Sequence, residues 1–155
     1  MPQKLIERRL INRSSTSPHR GVTQMRKPKI LVVEDNPVIR QIVLINLGKY
    51  FVEIDTAHNG IEAIDKFQHT HYDLVFMDVA MPGMDGLTAT EEIRKFENGL
   101  TERVPIVGLT ASANMEDCLK AGMDDYETKP PDYERMIKRW LPELTSQTMD
   151  SLHSG

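Results

Sequence analysis

The sequence predicts an α/β fold, a doubly wound sheet of five parallel strands with helices on both faces. Three observations carry this. From Pro28 onward, short apolar or β-branched runs alternate with longer segments of helical spacing. Such alternation demands right-handed crossovers, and these cannot all lie on one side of a sheet. The runs Ile30 to Val33 and Leu74 to Met77 are apolar without interruption, as strands covered on both faces are. Lastly, three of the runs end in ionisable groups: Lys29 to Val33 leads into Glu34-Asp35, Asp73 to Met77 into Asp78, and Asp124 to Thr128 into Lys129-Pro130.

The elements follow in order. Ile30 to Val33 is β-branched and short, and Asn36-Pro37 then opens a helix with Asn36 as N-cap and Pro37 at the first helical position. Val38, Ile39, Ile42, Ile45 and Leu47 recur at helical spacing, and Gly48 stops the helix. A strand through Val52 to Thr56 precedes a helix opened by Asn59-Gly60, with Ile61, Ile64 and Phe67 on one face. Leu74 to Met77 is the third strand. Pro82, Gly83 and Gly86 mark a loop, where Asp85 serves a turn or cap, and Leu87 to Phe96 reads as a helix. Val104 to Leu109 forms a fourth strand ending at Thr110, Ala113 to Ala121 a shorter helix, Met123 to Thr128 a fifth strand, and Tyr133 to Leu141 a last helix that carries the sole tryptophan, Trp140.

In an open parallel sheet the ligand crevice lies beyond the carboxyl ends of the strands, so the strand-end groups converge there although far apart in sequence. Glu34 and Asp35 end the first strand, Asp78 the third, Thr110 the fourth, and Lys129 the fifth. Three carboxylates beside an ammonium suit a divalent cation and a phosphoryl group. Each residue alone has a blander reading: acids before a helix favour its dipole, and threonines are common at strand ends. The signal is their shared position.

Four segments resemble the receiver domain of two-component response regulators: Ile30-Leu31-Val32-Val33-Glu34-Asp35-Asn36, Asp78-Val79-Ala80-Met81-Pro82-Gly83-Met84-Asp85-Gly86, Leu109-Thr110-Ala111, and Tyr126-Glu127-Thr128-Lys129-Pro130. Their order and strand context make coincidence improbable. The resemblance covers residues 28–142 and implies a flavodoxin-like fold with strand order 2-1-3-4-5. It implies that Asp78 is the phosphoacceptor, a carboxylate nucleophile taking a phosphoryl group from the phosphohistidine of a histidine kinase or histidine phosphotransfer protein. It further implies that Asp35 and Asp78 hold Mg²⁺, with the Ala80 backbone carbonyl as a further ligand and Glu34 reaching the ion through water. Hard oxygen ligands and retained waters are what Mg²⁺ prefers. Lys129 would meet the phosphoryl oxygens as a point charge and Thr110 as a hydroxyl donor.

The family's switch positions are filled by Thr110 and Tyr126: phosphate on Asp78 would draw the Thr110 hydroxyl inward and free space for the Tyr126 ring, changing the surface offered to a downstream protein partner. The residues two after the acceptor and two after the threonine flank the path of hydrolytic water in this family, and here they are Ala80 and Ser112. Alanine cannot orient a water, so the acyl phosphate is expected to last on the order of minutes to hours rather than seconds.

A competing class is a haloacid-dehalogenase-type phosphohydrolase, which also uses a strand-end Asp with Mg²⁺ but places an acid/base Asp two residues on. Alanine stands there, at position 80. A phosphorylation-independent pseudo-receiver is disfavoured because no acidic, Thr or Lys position is lost. The chain is therefore expected to be no turnover enzyme, catalysing only its own aspartyl phosphorylation and dephosphorylation. The remaining features set its context. Of 155 residues, the first 27 carry seven Lys or Arg against one acid, while the chain as a whole has a net charge of −4, so the remainder is markedly acidic. An acidic body argues against nucleic-acid binding by the domain itself. Residues 1–27 read as a basic arm or linker and 143–155 as a polar tail. Nothing after residue 142 is long enough for an output domain, so the chain is expected to be a stand-alone receiver or a segment of a hybrid histidine kinase. The single cysteine, Cys118, fits a reducing compartment and a packing or surface role, and no apolar run approaches the roughly 18 to 20 residues of a membrane helix, which together suggest the cytoplasm. His69 and His71 have no further ligand nearby and read as a surface turn.

Overall fold

The computed structural model describes residues 26–112 and 114–145. Strands and helices alternate: β1 (Lys29–Val33), α1 (Pro37–Leu47), β2 (Glu53–Ala57), α2 (Gly60–His69), β3 (Leu74–Asp78), α3 (Gly86–Glu97), β4 (Ile106–Thr110), α4 (Met115–Ala121), β5 (Asp125–Thr128) and α5 (Tyr133–Trp140). The five strands form one parallel sheet in the order β2-β1-β3-β4-β5. The reversal of winding falls between β1 and β3, which places the crevice beside Val33 and Met77, the paired residues at the carboxyl ends of those strands.

Strand alternation divides the core in two. Leu31, Val33, Val75, Met77 and Ile106 point to one face, where they meet Ala63 and Phe67 of α2, Ala89 and Ile93 of α3, and Cys118 of α4. Ile30, Val32, Leu74, Phe76, Val107 and Leu109 point to the other, against Val43 and Leu47 of α1 and Met136 and Ile137 of α5. Phe67 anchors the first layer with its ring edge-on to Phe96 at 6.2 Å. Burying such a side chain contributes about 1.5–3 kcal/mol. At Gly108 the Met123 side chain fills the space a Cβ would take, its Sδ lying 2.6 Å from that position.

The caps explain why the helices start where they do. Asn36 Oδ1 accepts from the amides of Val38 and Ile39, Asn59 Oδ1 from Glu62, Asp85 Oδ1 from Thr88, and Asp132 Oδ1 from Arg135. Several boundaries differ from the sequence expectation. β4 starts at Ile106 rather than Val104, because Pro105 has no amide to give the ladder. β5 starts at Asp125 rather than Met123: the Met123 amide closes the end of α4 on Cys118 O, and the Asp124 carboxylate is taken by Arg94 and Arg103. α4 starts at Met115 rather than Ala113, and Ala113 lies outside the described residues, as do residues 1–25 and 146–155 of the expected arm and tail.

Two apolar stripes fall differently from expectation. In α2, Phe67 is buried and Ile64 packs against the core as one face, but Ile61 is 68% exposed and Ala63 takes the buried position. In α1 the apolar positions form two offset stripes, and only Ile39, Val43 and Leu47 face the sheet. Val38, Ile42 and Ile45 are exposed, at 67%, 48% and 59%. Cys118 is buried in the core. His69 is exposed, whereas the His71 ring is tucked against Asp73 and Glu102. No helix among the described residues is long and apolar enough to cross a membrane.

Candidate functional site

The acids that end β1 and β3 meet at the crevice. Carboxylate oxygens of Glu34, Asp35 and Asp78 all lie within 4.8 Å of one another, and this is the sole such acidic or metal-ligating cluster among the described residues. Glu34 and Asp78 are buried and Asp35 is half-buried. Lys129, the first residue after β5, reaches across to place Nζ 2.7 Å from Glu34 Oε2 and 3.2 Å from Asp78 Oδ1. Its backbone is fixed to the neighbouring strand, the Lys129 amide donating to Thr110 O at 2.8 Å. The peptide bond it makes with Pro130 is cis.

Crowding the acids has an electrostatic cost. Burial first, then the charge of Glu34, push the Asp78 carboxyl up to about 7, while Lys129 pulls it down. Burial works against the Lys129 ammonium as well, yet its hydrogen bond to Glu34 and the charge of Asp78 outweigh this and raise its pKa above the ordinary lysine value. A divalent cation would relieve the same repulsion, and an all-oxygen donor set of three carboxylates fits a hard ion such as Mg²⁺.

Each expected site residue has a defined place. Ala80 is exposed, and its amide donates to Asp78 Oδ1 at 3.2 Å, orienting the carboxylate. Thr110 is buried at the end of β4, one residue beyond the partner of Asp78 in the ladder. Its hydroxyl is engaged with Ser112, donating to Ser112 O at 2.8 Å and accepting from the Ser112 amide at 3.2 Å. Tyr126 is half-buried, with its side chain packed on the core layer of α2, α3 and α4.

Sequence reasoning missed three contributors. Gly86 packs its backbone against Asp78, so close that a Cβ would come within 2.1 Å of the Asp78 carbonyl oxygen. Arg40 Nη1 donates to the Glu34 carbonyl at 2.9 Å. The half-buried phenol of Tyr133 has its pKa raised by burial and then by the negative charge of Glu34. Of these only Gly86 left a trace in sequence, as a glycine directly after a helix cap.

Comparison with known proteins agrees with this geometry. The sequence pattern of the response regulator receiver domain matches residues 30–140. The chain is 43% identical over 129 residues to hybrid signal transduction histidine kinase G of Dictyostelium discoideum, covering 78% of this chain and 4% of that protein. It is also 43% identical over 109 residues to the sensor protein GacS of Pseudomonas syringae, covering 68% of this chain and 12% of that one. It thus spans a small part of the curated relatives it matches.

Among solved structures, the chain is similar to one in the co-crystal structure of the Saccharomyces cerevisiae histidine phosphotransfer signaling protein Ypd1 and the receiver domain of its downstream response regulator Ssk1. That match has 32% identity and a TM-score of 0.69, covering 78% of this chain and 91% of the other. A second match is the receiver domain of a Pseudomonas aeruginosa sensor histidine kinase, solved with a magnesium ion coordinated in the active site cleft, at 39% identity and a TM-score of 0.68, covering 76% and 99%. With the family pattern spanning most of the sheet and both ends of the acidic crevice, the chain belongs to the response regulator receiver domain family.

Proposed function

We propose that Asp78 is the phosphoacceptor of this receiver, taking a phosphoryl group from a phosphohistidine of a histidine kinase or histidine phosphotransfer protein. The observation that carries this is the convergence of Glu34, Asp35 and Asp78 within 4.8 Å, with Lys129 3.2 Å from Asp78. An Asp78 oxygen forms a bond to phosphorus as the donor's P–N bond breaks and the imidazole nitrogen takes back the electron pair. Lys129 is placed to move its donors from the carboxylates to the incoming phosphoryl oxygens. Thr110 can join it once its hydroxyl leaves Ser112 O, and Tyr126 is the ring that follows in the switch. Asp35, Asp78 and the Ala80 carbonyl would hold Mg²⁺, with Glu34 reaching it through water. Bound there, the ion would neutralise the charge that develops on the transferring group.

The partner reading has its own support. Val38, Ile42 and Ile45 form an exposed apolar stripe on α1, the helix that starts two residues after Asp35. Beside the similarity to a receiver solved with a histidine phosphotransfer protein, this stripe suits docking of a phosphodonor protein with an apolar surface. Donors of this kind are charged from ATP, which favours the cytoplasm. The acidic body disfavours nucleic acid as a ligand of the domain. The hydrolase reading has nothing to favour it, because Ala80 supplies no acid. Transfer from phosphorylated kinases and phosphotransfer proteins, run with wild type beside Asp78→Asn and with EDTA, tests the proposal. Labelling is expected in wild type with Mg²⁺ and in neither control; equal labelling of Asp78→Asn would refute it.

A further inference from the structure

Glu34 is held at every polar atom. Its amide donates to Ala57 O at 3.0 Å, Oε1 accepts from the Asn36 amide at 3.2 Å, Oε2 accepts from Lys129 at 2.7 Å, and its carbonyl accepts from Arg40 Nη1 at 2.9 Å. Asp35, the next residue, is the opposite case. Among the described residues its half-buried carboxylate has no hydrogen-bond or ion-pair partner, so no polar contact fixes where it points.

The two are joined by one peptide group. That group is planar, so fixing the Glu34 carbonyl oxygen fixes the Asp35 nitrogen and the direction in which the Asp35 chain leaves the strand. On the far side Asn36 is committed as the α1 cap. Arg40 stands on the second turn of α1, half-buried, and directs a guanidinium donor at a neutral carbonyl; no carboxylate pairs with it among the described residues. Its contact ties the helix to the end of β1 across the loop that carries Asp35.

We propose that Arg40 is a positioning residue for the metal-binding loop, holding the Glu34–Asp35 peptide so that the otherwise unsupported Asp35 carboxylate stays aimed into the crevice. The inference rests on the reading that Asp35 and Asp78 hold Mg²⁺. Removing an outer partner of a metal ligand typically costs 10- to 100-fold in affinity. One brace on a loop already capped by Asn36 belongs at the low end, about tenfold.

The test uses the full chain as wild type, Arg40→Met and Arg40→Lys. Mg²⁺ is titrated while backbone amide ¹H–¹⁵N shifts are followed, and melting is measured in EDTA. Methionine keeps the packing of the stem and removes every donor; lysine restores one. Arg40→Met is expected to raise the Mg²⁺ dissociation constant about tenfold and Arg40→Lys to recover to within about threefold. An arginine with only a structural role would lower the melting temperature in EDTA and leave the dissociation constant alone. If Arg40→Met does not fold, Arg40→Gln, which keeps an amide donor, takes its place with an expected loss of about threefold. A dissociation constant within twofold of wild type in that variant overturns the proposal while leaving the metal site standing. Absence of Mg²⁺ uptake by wild type overturns both.

Discussion

Lys129 Nζ lies 2.7 Å from Glu34 Oε2, a contact that spans 95 residues of sequence and closes the crevice between the first and last strands. Glu34 is only 1% exposed, and Lys129 is its one ion-pair partner among the described residues. Removing one member of a buried pair costs several kcal/mol, because the other is left uncompensated. Lys129→Met is expected to destabilise the metal-free protein by roughly 3 kcal/mol. Mg²⁺, supplying the missing positive charge, should restore part of this. Thermal unfolding with and without Mg²⁺ measures both effects, and a loss that Mg²⁺ leaves untouched would contradict the shared-charge account.

Gly86 tolerates no side chain. With a Cβ 2.1 Å from the Asp78 carbonyl oxygen, Gly86→Ala must displace either the start of α3 or Asp78 itself. The expected cost is about 1–3 kcal/mol of stability, the range of overpacking strain, together with slower phosphorylation by a small-molecule donor. Gly83→Ala makes a useful contrast. Nothing lies within 4 Å of a Cβ there, so any cost comes from its φ of +76° alone.

Asp73 supplies a pH dependence away from the crevice. Burial raises its pKa, but the His71 contact, the Lys29 amide at 2.7 Å and the charge of Arg26 outweigh burial, and the pKa falls below its ordinary value of 3.8. A carboxylate whose pKa is depressed on folding adds stability that is fully present above the unfolded value and is lost as pH falls through the folded one. Asp73→Asn should therefore cost about 2 kcal/mol at neutral pH, with the deficit shrinking below about pH 4. Denaturant unfolding of both proteins from pH 7 to pH 3 measures the convergence.

For the acyl phosphate proposed on Asp78, Ala80 is the residue expected to set the lifetime. Exposed beside Asp78 and bearing only a methyl group, it gives hydrolytic water no hydrogen-bond partner. The isolated domain is expected to hold its phosphate on the order of minutes to hours, and Ala80→Asn to shorten that several-fold. Decay of radiolabel after donor removal gives the number; decay within seconds in wild type would contradict the role given to this position.

The apolar stripe of α1 separates docking from chemistry. Ile42→Arg should reduce transfer from a phosphotransfer protein by at least tenfold, about 1.4 kcal/mol of lost interface energy. Labelling by a small-molecule donor should stay near the wild-type rate, because Ile42 lies outside the acidic cluster. Equal loss with both donors would point to a damaged fold.

By itself the sequence determined the α/β winding, the caps at Asn36, Asn59 and Asp85, and the acids and lysine at the strand ends. These are local: alternation of period, a capping side chain, and a polar residue directly after an apolar run are all read within a few neighbours. Tertiary structure decided what local pattern leaves degenerate. Val38, Ile42 and Ile45 are as apolar as Ile39, Val43 and Leu47, and only the sheet chooses which stripe it covers. Ile61 yields its place to Ala63 for the same reason. In the crevice, strand-end residues converge because a parallel sheet aligns its carboxyl edges, which is why Asp35, Asp78 and Lys129 were legible. Arg40 and Gly86 act through backbone atoms of Glu34 and Asp78. Every residue has such a carbonyl, so no side-chain pattern marks which one is held, and only the folded chain brings its partner within reach.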